Sequence, residues 1–324
     1  MLCLCSLIVS GCSESKSLSA LNYADSLARV LQETATDPDQ RIGLNFPRPR
    51  DLQQNFQSHS IDLLEFLALD DCELQLVIAE RNSSLGRMAT ASQQLVQELR
   101  FLETGEACLA GLKDEQLLEE LRQVLAIKRS ELAARIWQAT LGGMEFSASW
   151  RADLSGNQVQ PLATQAVRLL RRDIERWLSG DYTIDSTIFE QRLKEISLGN
   201  WGQLLEDWQE LRVTLPVASR VLEARMERRP LCFRGMKNPD AQTFFQVVQT
   251  GFLAGLQKDT ARVNRMTYDL FIEIHAIEEL LQQESTQTYD AWREQRNDLV
   301  AEARSVIRTH VALLEPLMQQ CGFL

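Results

Sequence analysis

Proline and glycine are scarce in this chain, eight and 15 among 324 residues. So few breakers leave long stretches where a helix can run without interruption. Runs that alternate strictly between apolar and polar residues are almost absent, which excludes a protein built on half-buried strands. After residue 12 no segment approaches the ~20 apolar residues of a bilayer-spanning helix. Histidine is rarer still, at positions 59, 275 and 310. A metal centre needs several His, Cys or carboxylate ligands converging. Only His275 and Glu278 come near, three apart on one helical face. The Glu-x-x-His order of paired-helix metal bundles is reversed there and has no second copy. No metal or other cofactor is therefore expected, and His310, inside an apolar stripe, reads as a hydrogen-bonded core residue. Gly-x-Ser-x-Gly, a phosphate-cradling glycine loop and His-Glu-x-x-His are all missing. Carboxylates are plentiful, but no pair stands out as the two acids of a glycosidase. The net charge of −11 argues against nucleic acid as a partner, because phosphate binding needs a basic surface.

What the chain does have is apolar spacing of three and four. Trp201, Leu204, Trp208, Leu211, Leu215, Ala218 and Leu222 keep that rhythm. So do Trp292, Leu299, Ala303, Val306, His310, Leu313 and Leu317, and Leu118, Leu121, Leu125, Leu132 and Ile136. A fourth stripe, from Phe252 through Leu256, Val263, Met266, Leu270, Ile274 and Ile277 to Leu281, carries a polar gap near Asp259. Such spacing gives each helix one face to bury against others. The fold class is all-α, a multi-helix antiparallel bundle. Helices are expected over about 18–33, 60–81, 92–111, 114–141, 161–179, 184–196, 201–228, from 238 onward, and 286–320. A proline-containing irregular crossing occupies 36–51, and Pro216 should kink its helix. Segment 142–160 looks less regular and divides a helical part 21–160 from a second, 161–324.

The first dozen residues differ from the rest. Leu2 to Ile8 are apolar apart from Ser6, and Val9-Ser10-Gly11-Cys12 closes the run. The segment resembles a bacterial lipobox, in which small residues flank the signal-peptidase cut. That resemblance implies a signal peptide over 1–11 and a lipidated, N-terminal Cys12, with 12–20 as a polar tether. Half the length of a bilayer span, the run is too short for a transmembrane anchor. No Lys or Arg precedes it, so either the natural start lies upstream or the charged n-region has been lost. A second acyl chain makes membrane attachment lasting, since each buried CH₂ contributes about 0.8 kcal/mol. Ser13, rather than Asp, follows the cysteine, and by the same resemblance the destination is the periplasmic face of the outer membrane.

Export sets the state of the thiols. Of seven cysteines, Cys3 and Cys5 would leave with the signal peptide and Cys12 would carry lipid. Cys72, Cys108, Cys232 and Cys321 remain, an even number in an oxidising compartment. Three pairings are open. An antiparallel helix pair folded at the turn-like segment 83–90 favours Cys72 with Cys108, leaving Cys232 for Cys321.

Charge is unevenly spread. Residues 58–120 hold 13 acids against four bases, and residues 212–237 seven bases against two acids. Two polar features could take an anion. In Arg81-Asn82-Ser83-Ser84-Leu85-Gly86-Arg87, free backbone N–H groups beside Arg81 and Arg87 could do so, although a tight interhelical corner explains the same residues. The second is the basic connector of Arg220, Arg225, Arg228, Arg229, Arg234 and Lys237, a surface for anionic lipid or an acidic partner, or a salt-bridged face.

The segment from Arg81 to Arg87, the Asp71-Cys72 and Ala107-Cys108-Leu109 elements, and the closing Gln320-Cys321-Gly322-Phe323-Leu324 together resemble an uncharacterised domain family of Gram-negative bacterial lipoproteins. The resemblance covers nearly all of the mature chain and implies an envelope lipoprotein, with no catalytic residues to carry over. The expected role is a non-catalytic interaction or scaffold module, attached to the membrane through its lipid and facing another envelope protein. A periplasmic carrier of lipid or an anion is the alternative, and an envelope hydrolase comes third.

Overall fold

The computed structural model describes residues 17–56, 72–151 and 159–324. The expected signal peptide, Cys12, most of the tether, His59, most of the helix expected over 60–81, and residues 152–158 lie outside the described residues. Among the described residues the chain is all-α, with no strand. In chain order the helices are α1 (Ser17–Leu31), α2 (Leu74–Asn82), α3 (Ser84–Arg87), α4 (Ala91–Leu109), α5 (Glu115–Ala139) and α6 (Met144–Ser149). They continue as α7 (Pro161–Leu178), α8 (Ser186–Ser197), α9 (Gly202–Met226), α10 (Pro239–Val247), α11 (Gln257–Leu280) and α12 (Gln287–Gln320).

The described boundaries have local causes. Asp114 accepts from the N–H groups of Gln116 and Leu117 to start α5, and Asp185 does the same for Thr187 and Ile188 to start α8. Each cap satisfies donors that a helix leaves open in its first turn. Thr90 and Gln93 form a reciprocal capping box at α4. At the end of α12, Phe323 N–H bonds Met318 O and Gly322 N–H bonds Gln319 O, with Gly322 at φ +65°. Those two bonds make a Schellman cap, which puts a glycine where a Cβ would be strained. Pro216 sits inside α9 without ending it.

The chain resolves into two compact units, discontinuous in sequence. Of the described residues, the first holds those up to Ile42, Asp207–Val263 and Asp298–Leu324, and the second those within Gly43–Glu206 and Asn264–Asn297. Of segment 142–160, the described residues 142–151, 159 and 160 belong to the second unit, and 142–151 include α6.

In the first unit, α1 buries Ala20, Tyr23, Ala24, Leu27, Ala28 and Leu31 on one stripe and packs on α10 and the segment after it. That segment, Val248–Leu256, is a π-helix, a form whose geometry is rare. Periodicity at 3.6 residues does not anticipate it. Gly251 lies within it. A Cβ there would lie 2.7 Å from Cδ2 of Tyr23, so only glycine lets α1 approach this closely. After α1 the chain runs without regular structure over 33–42 and is held along α9 by arginines. Arg228 donates to Gln32 O and Glu33 Oε1, Arg220 to Thr36 Oγ1, Asp37 O and Asp39 Oδ1, and Arg212 to Gln40 O.

The second unit centres on helix pairs α4–α5 and α7–α8, with α6 packed on α8. Trp137, Phe146, Trp150, Trp177, Phe189 and Trp201 are buried here. Many of these rings meet edge to face, as Trp150 does with Trp201 and with Trp292, the arrangement aromatic quadrupoles favour.

Candidate functional site

The buried titratable groups come first, because a reaction centre would be sought among them. In the second unit Glu98 of α4 is buried and meets three cations. Lys128 Nζ lies 2.5 Å from Oε2, Arg81 Nη1 3.0 Å from Oε1 and Arg135 Nη1 3.7 Å from Oε1. Burial alone would raise the Glu98 carboxyl, but Lys128, Arg81 and Arg135 outweigh it and hold the group below the usual carboxylate range. Glu278 of α11 is matched similarly. Its Oε1 accepts from Tyr289 OH and Arg296 Nη1, both at 2.8 Å, and its Oε2 from Arg296 Nη2 at 3.1 Å. The Arg296 guanidinium is wholly buried and lies over the rings of Phe271, Trp292 and Trp150, which adds cation–π attraction in a dry setting. Burial, then the neighbouring Glu278, raises the Tyr289 hydroxyl well above its ordinary range.

His275 does not join Glu278. Its Nε2 lies 3.4 Å from Asn297 Oδ1, and burial lowers its titration. Among the described residues no three His, Cys, Asp or Glu side chains gather into a metal-holding group. His310, in the first unit, is fully buried. Its Nε2 is 3.0 Å from Tyr23 OH and its Nδ1 3.0 Å from Ser219 Oγ. Ser219 Oγ in turn reaches Leu215 O at 3.4 Å. One proton arrangement satisfies the whole chain: Tyr23 donates to Nε2, Nδ1–H donates to Ser219, and Ser219 donates to the carbonyl. Burial pushes His310 down to about 3 and Tyr23 upward. In each buried centre the charged and hydroxyl groups are engaged with one another, although Arg135 Nε in the Glu98 centre is buried with no hydrogen-bond partner.

The four downstream cysteines form two disulfides. Cys72 pairs with Cys108 across Cα atoms 5.8 Å apart, and Cys232 with Cys321 across 5.2 Å, both within the span a disulfide bridges. The first ties the chain just before α2 to the last turn of α4, with the corner between them.

Arg81 and Arg87 stand on that corner and face different acceptors. Arg81 pairs with Glu98, while Arg87 Nη1 donates to Asn82 O at 2.6 Å. Ser83 Oγ accepts from Gly86 N–H and donates to Glu80 O. Gly86 is fixed by sterics, since a Cβ would lie 2.3 Å from Glu80 O. Beside the corner opens a groove of about 740 Å³, its walls including Ser83, Gly86, Gln93, Arg100, Ser186 and Glu190. The Arg100–Glu80 ion pair lies on it at 2.6 Å. Leu85 and Met88 stand nearly fully exposed on the corner itself, 85% and 84%. Hydrogen bonding and apolar contact are what such a surface offers a ligand. A smaller cavity in the first unit, about 60 Å³ among residues including Ala20, Leu211, Leu256 and Val263, is too small for a lipid chain.

Of the basic connector, Arg220 and Arg228 hold the 33–42 segment, and Arg225 Nη1 donates to Arg229 O at 2.6 Å. Arg229, Arg234 and Lys237 are exposed.

A family model described as a protein of unknown function (DUF3080) matches residues 20–324. The chain belongs to the DUF3080 family. No curated protein and no solved structure matches it. The DUF3080 match takes in both disulfides, the corner with Arg81 and Arg87, and all three buried polar centres.

Sequence reasoning missed two of those centres, and a signal for them existed. The apolar stripe of α5 skips from Leu125 to Leu132, and that of α12 from Trp292 to Leu299. Lys128 and Arg296 occupy the positions that helical spacing requires in those gaps, and both are buried.

Proposed function

We propose that this chain is an exported cell-envelope lipoprotein, tethered through Cys12, that acts as a non-catalytic interaction module. The observation that carries the reading is the thiol arrangement: all four cysteines downstream of residue 20 are joined in two disulfides. Paired cysteines suit an oxidising compartment, and the cysteine at the end of the lipobox-like run supplies a lipid attachment point. The interaction role draws on the helical corner. Leu85, which also lines the groove, and Met88 offer exposed apolar contact beside walls that mix apolar Ala89 and Val96 with polar Ser83, Gln93 and Arg100, the composition of a docking surface. The buried titratable groups, by contrast, are engaged with one another.

Two measurements test this. Labelled fatty acid should enter the wild-type chain and not Cys12→Ser, which should also move to the soluble fraction. Equal labelling, or none in either, removes the tether. A photo-crosslinker at position 85 or 88 should capture a specific envelope protein, and Leu85→Asp with Met88→Asp should abolish capture without lowering the melting temperature. Capture that survives the double substitution would rule out the corner.

A further inference from the structure

We propose that the disulfide-tied hairpin at residues 231–237 is a docking prong for an anionic lipid bilayer, a role separate from the corner and independent of acylation at Cys12. The hairpin is closed by a tight turn. Met236 N–H bonds Phe233 O at 3.0 Å, and Arg234 and Gly235 both have positive φ, +46° and +73°, as the two central residues of a type I′ turn do. Its base is fixed from several directions. Cys232 is joined to Cys321, Gln320 Oε1 accepts from the N–H groups of Leu231 and Cys232, and Asn238 Nδ2 donates to Leu231 O.

This tight turn projects large apolar side chains into solvent. Phe233 is 66% exposed and Met236 63%. The turn itself carries the exposed bases Arg234, over the Phe233 ring, and Lys237, over that of Phe323, and exposed Arg229 lies two residues before it in sequence. The nearest acids in sequence are Glu227 and Asp240, one on either side of the segment, and none lies within it. An apolar tip in a collar of bases is complementary to a negatively charged bilayer: the collar meets head groups while the tip enters the interface. A purely polar acidic partner would leave Phe233 and Met236 without a contact.

The placement adds a geometric consequence. Arg228, next to the hairpin, holds Gln32 and Glu33 at the C-terminal end of α1. α1 has 15 residues, about 22 Å of helix. A chain held both at the prong and, through Cys12, at its N-terminal side therefore lies with α1 along the membrane, an orientation that attachment at one point does not impose.

The test uses the full chain carrying Cys12→Ser, so that acylation plays no part. Co-sedimentation is measured with vesicles of phosphatidylcholine alone and of phosphatidylcholine with phosphatidylglycerol. The chain should bind the anionic vesicles, and added salt should weaken binding. Phe233→Ser with Met236→Ser should lower partitioning on the order of tenfold per side chain, and Arg234→Gln with Lys237→Gln about fivefold per base. Leu76→Ser with Leu162→Ser, 62% and 65% exposed but elsewhere, should bind like the parent. Should the serine pair fail to fold, Phe233→Trp gives a second readout, its fluorescence quenched by brominated lipid. Any of the following overturns the proposal: no binding to anionic vesicles, equal binding to neutral ones, binding indifferent to the tip, or no quenching at position 233.

Discussion

His310 offers the sharpest quantitative test of the first unit. Its ring is buried and neutral, with both nitrogens bonded, and burial has lowered its pKa from 6.5 to about 3. The unfolded chain therefore binds a proton at pH values where the folded chain does not. The contribution of the neutral ring is fully present above 6.5 and is lost as pH falls toward 3. One unit of difference corresponds to about 1.4 kcal/mol, so between pH 7.5 and 4.5 the folded state should lose about 3 kcal/mol through this residue alone. That window avoids most of the effect of Glu98 and Glu273, whose folded-state carboxyls are lowered and whose stabilisation is lost only below about 4.5. His275, also lowered, adds loss of the same sign. Urea denaturation of wild type and His310→Gln at several pH values isolates the residue: the gap between them should shrink by about 3 kcal/mol across the window. Proton NMR supplies a second check, since only three histidines need assignment. Parallel stability profiles, or a His310 ring resonance that titrates near 6.5 in the folded protein, would refute the reasoning.

Other expected outcomes follow from packing and covalent ties. Gly251→Ala should destabilise the chain by about 1–3 kcal/mol in thermal or urea unfolding, because the added methyl meets the Tyr23 ring, which is itself packed on Phe252 and His310. Arg296→Met should cost about 3–5 kcal/mol, since it leaves Glu278 buried without its cation, and adding Glu278→Gln should recover much of the loss. An unchanged urea midpoint for the single variant would contradict the burial of that pair. Removing Cys232–Cys321, which spans 89 residues, should cost about 5 kcal/mol, and removing Cys72–Cys108, which spans 36, about 4. Serine replacements read by denaturant midpoints measure both, and no loss from either would argue that the thiols are not joined.

Periodicity alone determined a good deal. Spacing of three and four, with few breakers, dictates helices wherever one apolar face must be buried, and the observed ends of α4, α5, α7, α8 and α12 fall within about two residues of the expected ones, the usual latitude at helix termini. The antiparallel pair folded at the 83–90 corner, with Cys72 beside Cys108, was also legible, because a helix hairpin brings residues equidistant from its turn to the same height. What the linear pattern could not contain is partnership over distance. Lys128 and Arg296 each interrupt an apolar stripe, and spacing marks them as inward-facing; only tertiary packing supplies Glu98, 30 residues away, and Glu278, 18 away, that make burial of those charges tolerable. The need for glycine at 251 is decided in the same way, by the Tyr23 ring arriving from α1 more than two hundred residues earlier. So too is the fate of the basic connector. Composition gave six bases in one stretch, and the fold tied three of them to backbone and carboxylate oxygens while leaving Arg229, Arg234 and Lys237 exposed. Local sequence sets which backbone conformation is cheapest, whereas the environment that neutralises a buried charge is assembled by segments remote along the chain.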